Sequence, residues 1–166
     1  MEYKDAKATL IQAWGTLGSS WGINRTMAQI HILLMISPKP LSTEDIMSEL
    51  NISRGNANMN LRALMEWGVV YKQLIPGQRK EYFSPEKDIW ELARIVSKER
   101  RKRELEPAMK ILEQVKQVNS GPKEEIAELK KISSDLLEFS EMADLMLDKF
   151  SRSEQSRLLK LILSIK

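Results

Sequence analysis

The stretch "SRGNANMNLRALMEWGVV", Ser53 to Val70, decides how the rest of the chain is read. Its periodicity is helical: Ala57, Leu61, Leu64 and Met65 share one face, while Gly55, Asn58, Met59, Arg62 and Glu66 fall on the other. Asn56, Asn58 and Asn60 stand at alternate positions in its first turns. Each asparagine costs a helix roughly 0.5 kcal/mol against alanine, because its amide competes for backbone hydrogen bonds. Two readings account for them. One is an amide-rich, solvated first turn capped by Ser53. In the other, the amides and Arg54 face base edges, since Asn and Arg can make bidentate contacts to adenine and guanine in a major groove.

The flanking sequence favours the second. Upstream, Asn24 caps a helix through "RTMAQIHILLMIS" that stops before Pro38 and Pro40. Ser42 then caps a short helix, "TEDIMSEL", with Asp45 where a capping box carries its acid and with Ile46 and Leu50 on the buried edge. A turn at Asn51-Ile52 leads to Ser53. Downstream, Gly68 ends the helix, "VVYKQLI" has the composition of a strand, "PGQRK" is a basic turn, and "EYFSP" can pair back. This is the element order of a winged helix-turn-helix, a motif that sets the first residues of its second helix against base edges. Arg54, Asn56 and Asn58 are then the base contacts. Ser53, Asn60 and Arg62 reach phosphates or local backbone, and a structural hydrogen bond is an equal alternative for Asn60. Met59 can touch a thymine methyl. Gln78, Arg79 and Lys80 at the wing tip contact DNA, mainly through phosphate neutralisation by the two cations, with a charged tip serving solubility as the alternative.

Outside this block the pattern is helical. A first helix spans about Asp5 to Leu17, with Leu10, Ala13, Trp14 and Leu17 on one face and Gly18 and Gly22 ending it. From Asp88 a helical pattern runs to Glu106, is bent by Pro107, and resumes to Val118, where "NSGP" breaks it. Ile126, Leu129, Leu136, Leu137, Ala143, Leu147 and Phe150 mark an apolar stripe in the last region, and Leu158, Ile162 and Ile165 mark another. Such stripes need a partner surface, and a second copy of the chain is the simplest one. The expected fold is mainly α with a small β-hairpin wing: residues 1–22 as an N-terminal dimerisation helix, 23–87 as the winged helix-turn-helix, and 88–166 as long dimerisation helices.

Composition agrees with a folded DNA-binding protein and narrows the alternatives. With 166 residues and 42% hydrophobic content the chain can bury a core. It has no cysteine and one histidine, His31, which leaves no Cys-ligated zinc and no His cluster for a metal. Neither the N-terminal stretch nor the apolar run "ILLMI" resembles a leader or a membrane span, so a soluble cytoplasmic protein is expected. Net charge is only +3, but six of the ten residues Arg94 to Arg103 are basic and one is acidic. Consecutive charges point around a helix, so Lys98, Arg100, Arg101, Lys102 and Arg103 cannot all meet one duplex. A solvated face is the plainer reading, with an acidic lipid or protein as the alternative.

The segment Trp14 to Met109 resembles the GbsR-like branch of the MarR-type winged-helix transcriptional regulators, most specifically in "SPKPLS", "SRGNANMNLRALMEWGVV" and "PGQRKEYF". The resemblance implies a homodimer on operator DNA, each subunit laying its recognition helix in a major groove and its wing along the backbone or minor groove. Beyond about Val118 the chain matches no family motif. Some members respond to choline or glycine betaine, which draws attention to Trp14, Trp21, Trp67 and Trp90 as an effector pocket, because an aromatic set can enclose a quaternary ammonium. Core packing is the stronger reading of Trp14 and Trp67, as a hydrogen-bonded core position is of His31. No Cys nucleophile, glycine-rich phosphate loop or Gly-x-Ser-x-Gly elbow is present, so an enzyme is not expected. The expected function is a homodimeric, sequence-specific DNA-binding transcriptional regulator, without cofactor, open to a small-molecule effector. The alternative is an architectural or protein-interaction winged-helix module that does not read sequence.

Overall fold

The computed structural model describes residues 1–152, which fall into two compact units divided between Leu92 and Ala93. The second apolar stripe, Leu158 to Ile165, lies outside the described residues. No helix among those described is long and apolar enough to cross a membrane.

The first unit is the winged helix-turn-helix. Its elements are α1 (Tyr3–Ser20), α2 (Arg25–Ile36), β1 (Leu41–Ser42), α3 (Thr43–Leu50), α4 (Arg54–Glu66), β2 (Val70–Leu74) and β3 (Glu81–Pro85). Each helix after the first begins where a side chain satisfies a free backbone amide. Asn24 Oδ1 accepts from Met27 N at 3.1 Å, and Ser53 Oγ from Asn56 N at 3.2 Å. At α3 the box is reciprocal: Ser42 Oγ accepts from Asp45 N, and Asp45 Oδ2 accepts from Ser42 N. These bonds from Ser42 hold the Asp45 carboxyl below the usual carboxylate range. Asn51, in the left-handed region at φ 51°, turns the chain from α3 into the cap of α4. Burial then joins the elements: Ile30, Leu33 and Leu34 of α2, Ile46 of α3, Ala57, Leu61 and Leu64 of α4, and Val70 and Phe83 of the sheet form the core.

Two features differ from the expectation. Leu41 and Ser42 pair with Phe83 and Tyr82, so the sheet has three antiparallel strands in the order β1-β3-β2. Two residues are too few to show alternation. The second difference is the buried face of α1, which carries Ile11, Gly15 and Gly18, whereas Leu10 and Leu17 are 38% and 43% exposed. Gly18 continues the helix, and the absence of its side chain lets α1 approach α2: a Cβ there would lie 2.5 Å from Ala28 Cβ. α1 is therefore packed closely on α2 within the first unit.

The second unit begins within α5 (Ile89–Arg100), which Asp88 caps by accepting from Trp90 N at 2.8 Å. A widened π turn (Arg101–Leu105) leads into α6 (Glu106–Val115), and α7 runs from Lys123 to Arg152. Pro107 explains the widened turn. It has no N–H for the carbonyl four residues back, and its ring crowds that carbonyl, so the preceding turn opens by one residue and Glu106 N bonds to Arg101 O. The helical run continues through Pro107 without ending there.

The apolar residues of α7 form two stripes rather than one. Ser133 and Leu137 are buried, and half-buried Ile126, Ala143, Leu147 and Phe150 lie on the same side. Leu129, Ile132, Leu136, Phe139, Met142 and Met146 follow one another at steps of three and four on a neighbouring, exposed side, Phe139 at 69%. The basic cluster is largely neutralised inside the unit. Arg101 makes a forked contact with Asp144 and reaches Asp148 at 3.0 Å, and its guanidinium is pushed up by the Asp144 hydrogen bond. Arg100 pairs with Glu104 and Arg103 with Glu99. Arg100, Arg101 and Arg103 are thereby paired with carboxylates of the same helical unit.

Candidate nucleic-acid interface

The apolar face of α4 is fixed by the core, which leaves its polar face outward. Gly55, Asn58, Met59, Arg62, Ala63 and Glu66 line a shallow open groove of about 480 Å³. Met59 is 60% exposed on this groove, where its side chain can meet a thymine methyl. A Cβ added to Gly55 would meet nothing within 4 Å. Neither packing nor backbone conformation therefore accounts for a glycine in the first turn of this helix, where it costs stability. The first turn of α4 thus leaves open space on this face.

The wing is built by local chemistry. Gly68, at φ 72°, ends α4; Val69 N bonds to Leu64 O and Gly68 N to Met65 O, so the chain turns directly into β2. β2 and β3 pair in register from Val70–Pro85 to Leu74–Glu81. Their tip is a type II turn: Pro76 presets the first central position, Gly77 supplies φ 80°, and Gln78 N closes it on Ile75 O at 3.0 Å. Gln78 Oε1 accepts from the Tyr82 hydroxyl, and Lys72 pairs with Glu81. Arg79 and Lys80 are exposed at the tip.

One acidic residue joins helix and wing. Glu44 Oε1 is 2.8 Å from the Arg54 guanidinium, and its other oxygen is 3.9 Å from Lys80 Nζ. The Arg54 hydrogen bond is the main reason its carboxyl lies below the usual range. The start of α3, the first turn of α4 and the wing tip therefore meet on one side of the unit. Sequence reasoning missed Glu44, whose place in the first turn of α3 is explained by the helix dipole alone.

The expected site residues divide by placement. Arg54, Arg62, Arg79 and Lys80 are exposed, and Asn58 is half-exposed on the groove. Ser53 is occupied as the cap of α4. Asn60 is 3% exposed, and its Nδ2 donates to both the carbonyl oxygen and Oδ1 of Asn56. Its amide serves the helix, so the structural hydrogen bond is the correct reading for Asn60. Asn56 lies at the surface with its amide held by that contact.

Of the tryptophans, Trp14 and Trp21 meet edge to face with centroids 6.5 Å apart. Trp67 is the C-cap of α4, and Trp90 lies half-exposed in the first turn of α5. His31 is buried with Nε2 unpaired among the described residues, and burial lowers its pKa to about 4. It is a neutral core residue without the hydrogen bond expected for it.

A three-helix core with a strand-paired hairpin beside an exposed second helix defines a winged helix-turn-helix protein. Residues 21–81, from the end of α1 to the start of β3, match the MarR family. A solved structure described as a transcriptional regulator is similar in fold, with a TM-score of 0.58 and 16% identity over 87% of this chain and 99% of that one. No curated protein matches the chain in sequence.

Proposed function

We propose that the chain is a homodimeric, sequence-specific DNA-binding transcriptional regulator. The observation that carries this is the double contact of Glu44 with Arg54 and Lys80, which puts the recognition-helix terminus and the wing tip on one face. A duplex on that face brings its major-groove base edges to α4 and its phosphates to Arg79 and Lys80. The match of residues 21–81 to the MarR family supports the same reading, and the motifs of α4 and the wing support a GbsR-like regulator within it.

Self-association is supported by the exposed stripe of α7, Leu129 to Met146, and by Leu10 and Leu17 on α1. A patch of this length on a monomer is uncommon, and its steps of three and four suit a second helix. Light scattering should return twice the 19.2 kDa chain mass. A two-fold dimer presents two recognition helices to successive major grooves, so hydroxyl-radical footprints on fragments enriched from genomic DNA should show two symmetric half-sites about one helical turn apart. Protection of a single unpaired half-site at saturation would contradict the assembly.

A further inference from the structure

A carboxylate is out of place on a surface that meets DNA, because the duplex carries a negative charge about every 1.7 Å of its axis. Glu44 stands on such a surface. Its side chain is 41% exposed, and its oxygens face the two exposed cations that join helix to wing: Oε1 is 2.8 Å from Arg54 Nη2, and Oε2 is 3.9 Å from Lys80 Nζ. Local structure does not require it there. Ser42 and Asp45 make the cap of α3, and exposed ion pairs contribute little to stability. A brace for DNA-binding side chains needs fixed geometry, whereas 3.9 Å is too long for a hydrogen bond and Arg54 is 60% exposed and held through one nitrogen. What Glu44 does supply is charge. The Arg54 hydrogen bond keeps its carboxyl below the usual carboxylate range, so the charge is present at neutral pH.

Resting on the reading of this face as the DNA interface, we infer that Glu44 is a built-in counter-ion that competes with backbone phosphates for Arg54 and Lys80 and holds down affinity for duplexes of any sequence. Two cations and one carboxylate present a single net positive charge to the duplex, where the cations alone would present two. Each phosphate neutralised by a protein changes log K by about 0.9 per decade of salt. One compensating charge removed is therefore equivalent to about one further phosphate contact. At about 0.15 M salt that amounts to roughly fivefold in affinity, for a contact that contributes nothing near 1 M. The effect acts on backbone charge, so operator and random DNA share it.

Glu44→Gln in the full-length chain removes the charge and keeps the shape. Fluorescence anisotropy on the selected operator and on a scrambled duplex should show both bound roughly fivefold more tightly, with a salt slope steeper by about one. Glu49→Gln makes the same change in net charge near the other end of α3, where Glu49 pairs with Lys7, and should leave both affinities nearly unchanged. Glu44 is half-exposed and Glu49 exposed, so neither variant disturbs the core, and matching circular dichroism spectra check this. Unchanged binding by Glu44→Gln overturns the inference, and weaker binding overturns it by making Glu44 a brace. Equal tightening by Glu49→Gln overturns it as well, because bulk charge is then the cause. All three outcomes leave the sequence preference of the wild type intact. Failure of the wild type to prefer any sequence overturns the proposed function instead, and the scrambled duplex alone then decides whether Glu44 competes with phosphate.

Discussion

Gly55→Ala separates the stability of α4 from its function, because the two should move in opposite directions. The residue has ordinary helical backbone, and the added Cβ meets no atom within 4 Å, so the substitution introduces no strain or clash. Alanine restricts the unfolded chain and favours the helix, which stabilises the protein by about 0.5–1 kcal/mol. For a chain of this size that raises Tm by roughly 1–4 °C. If the open space is kept for close approach of a duplex, the methyl group meets DNA, and operator binding falls by roughly tenfold, the cost of a displaced base contact. Calorimetry and fluorescence anisotropy on the same preparation measure both quantities. Unchanged or tighter operator binding refutes the close approach, and a lowered Tm refutes the reading of Gly55 as free of packing.

Gly18→Ala is the contrasting case: its Cβ would lie 2.5 Å from Ala28 Cβ, so α1 must move off α2, and denaturant unfolding should show a loss of about 1–3 kcal/mol. His31 should make stability fall between about pH 6.5 and pH 4. Its folded pKa, about 4, lies below the unfolded value of about 6.5, so stability is complete above that value and is lost as the unfolded state takes up the proton first. The loss at pH 5 relative to pH 7.5 is about 2 kcal/mol, and His31→Gln should remove it from urea titrations. Arg79→Ala and Lys80→Ala should weaken operator and random DNA by similar factors and lower the salt slope by about one per phosphate contact; loss on the operator alone would assign the wing to base reading.

What the sequence revealed, and what it hid, follows from the kind of signal each element carries. The winged block was legible because its boundaries are chemical: Asn24, Ser42 and Ser53 cap, Asp45 completes a box, Gly68 stops α4, and Pro76-Gly77 makes the tip. β1 was not, because its pairing depends on Phe83 and Tyr82, some forty residues away. The buried face of α1 was misread for a related reason. Gly15 and Gly18 pack by having no side chain, so a count of apolar residues selects Leu10 and Leu17 instead. In α7 two stripes lie close enough in sequence to read as one, and only the burial of Ser133 and Leu137 separates them.

At the interface, residue types were legible and their relations were not. The exposure of Arg54, Arg62, Arg79 and Lys80 follows from helix periodicity and a hairpin tip. The four-residue spacing of Asn56 and Asn60 made their contact available to inspection. Which atom of each amide faces the other depends on the Asn56 backbone carbonyl, and spacing does not report that. Glu44 becomes part of the site only when folding brings Arg54 and Lys80 to either side of it.

The most direct test of the account is the ratio of affinities of the full chain for its selected operator and for a scrambled duplex of equal length, measured by anisotropy at physiological salt. A recognition helix that reads base edges predicts tighter operator binding by roughly a thousandfold or more. Equal affinity for the two duplexes, with the same salt slope, would contradict it and leave a winged helix that holds DNA by its phosphates alone.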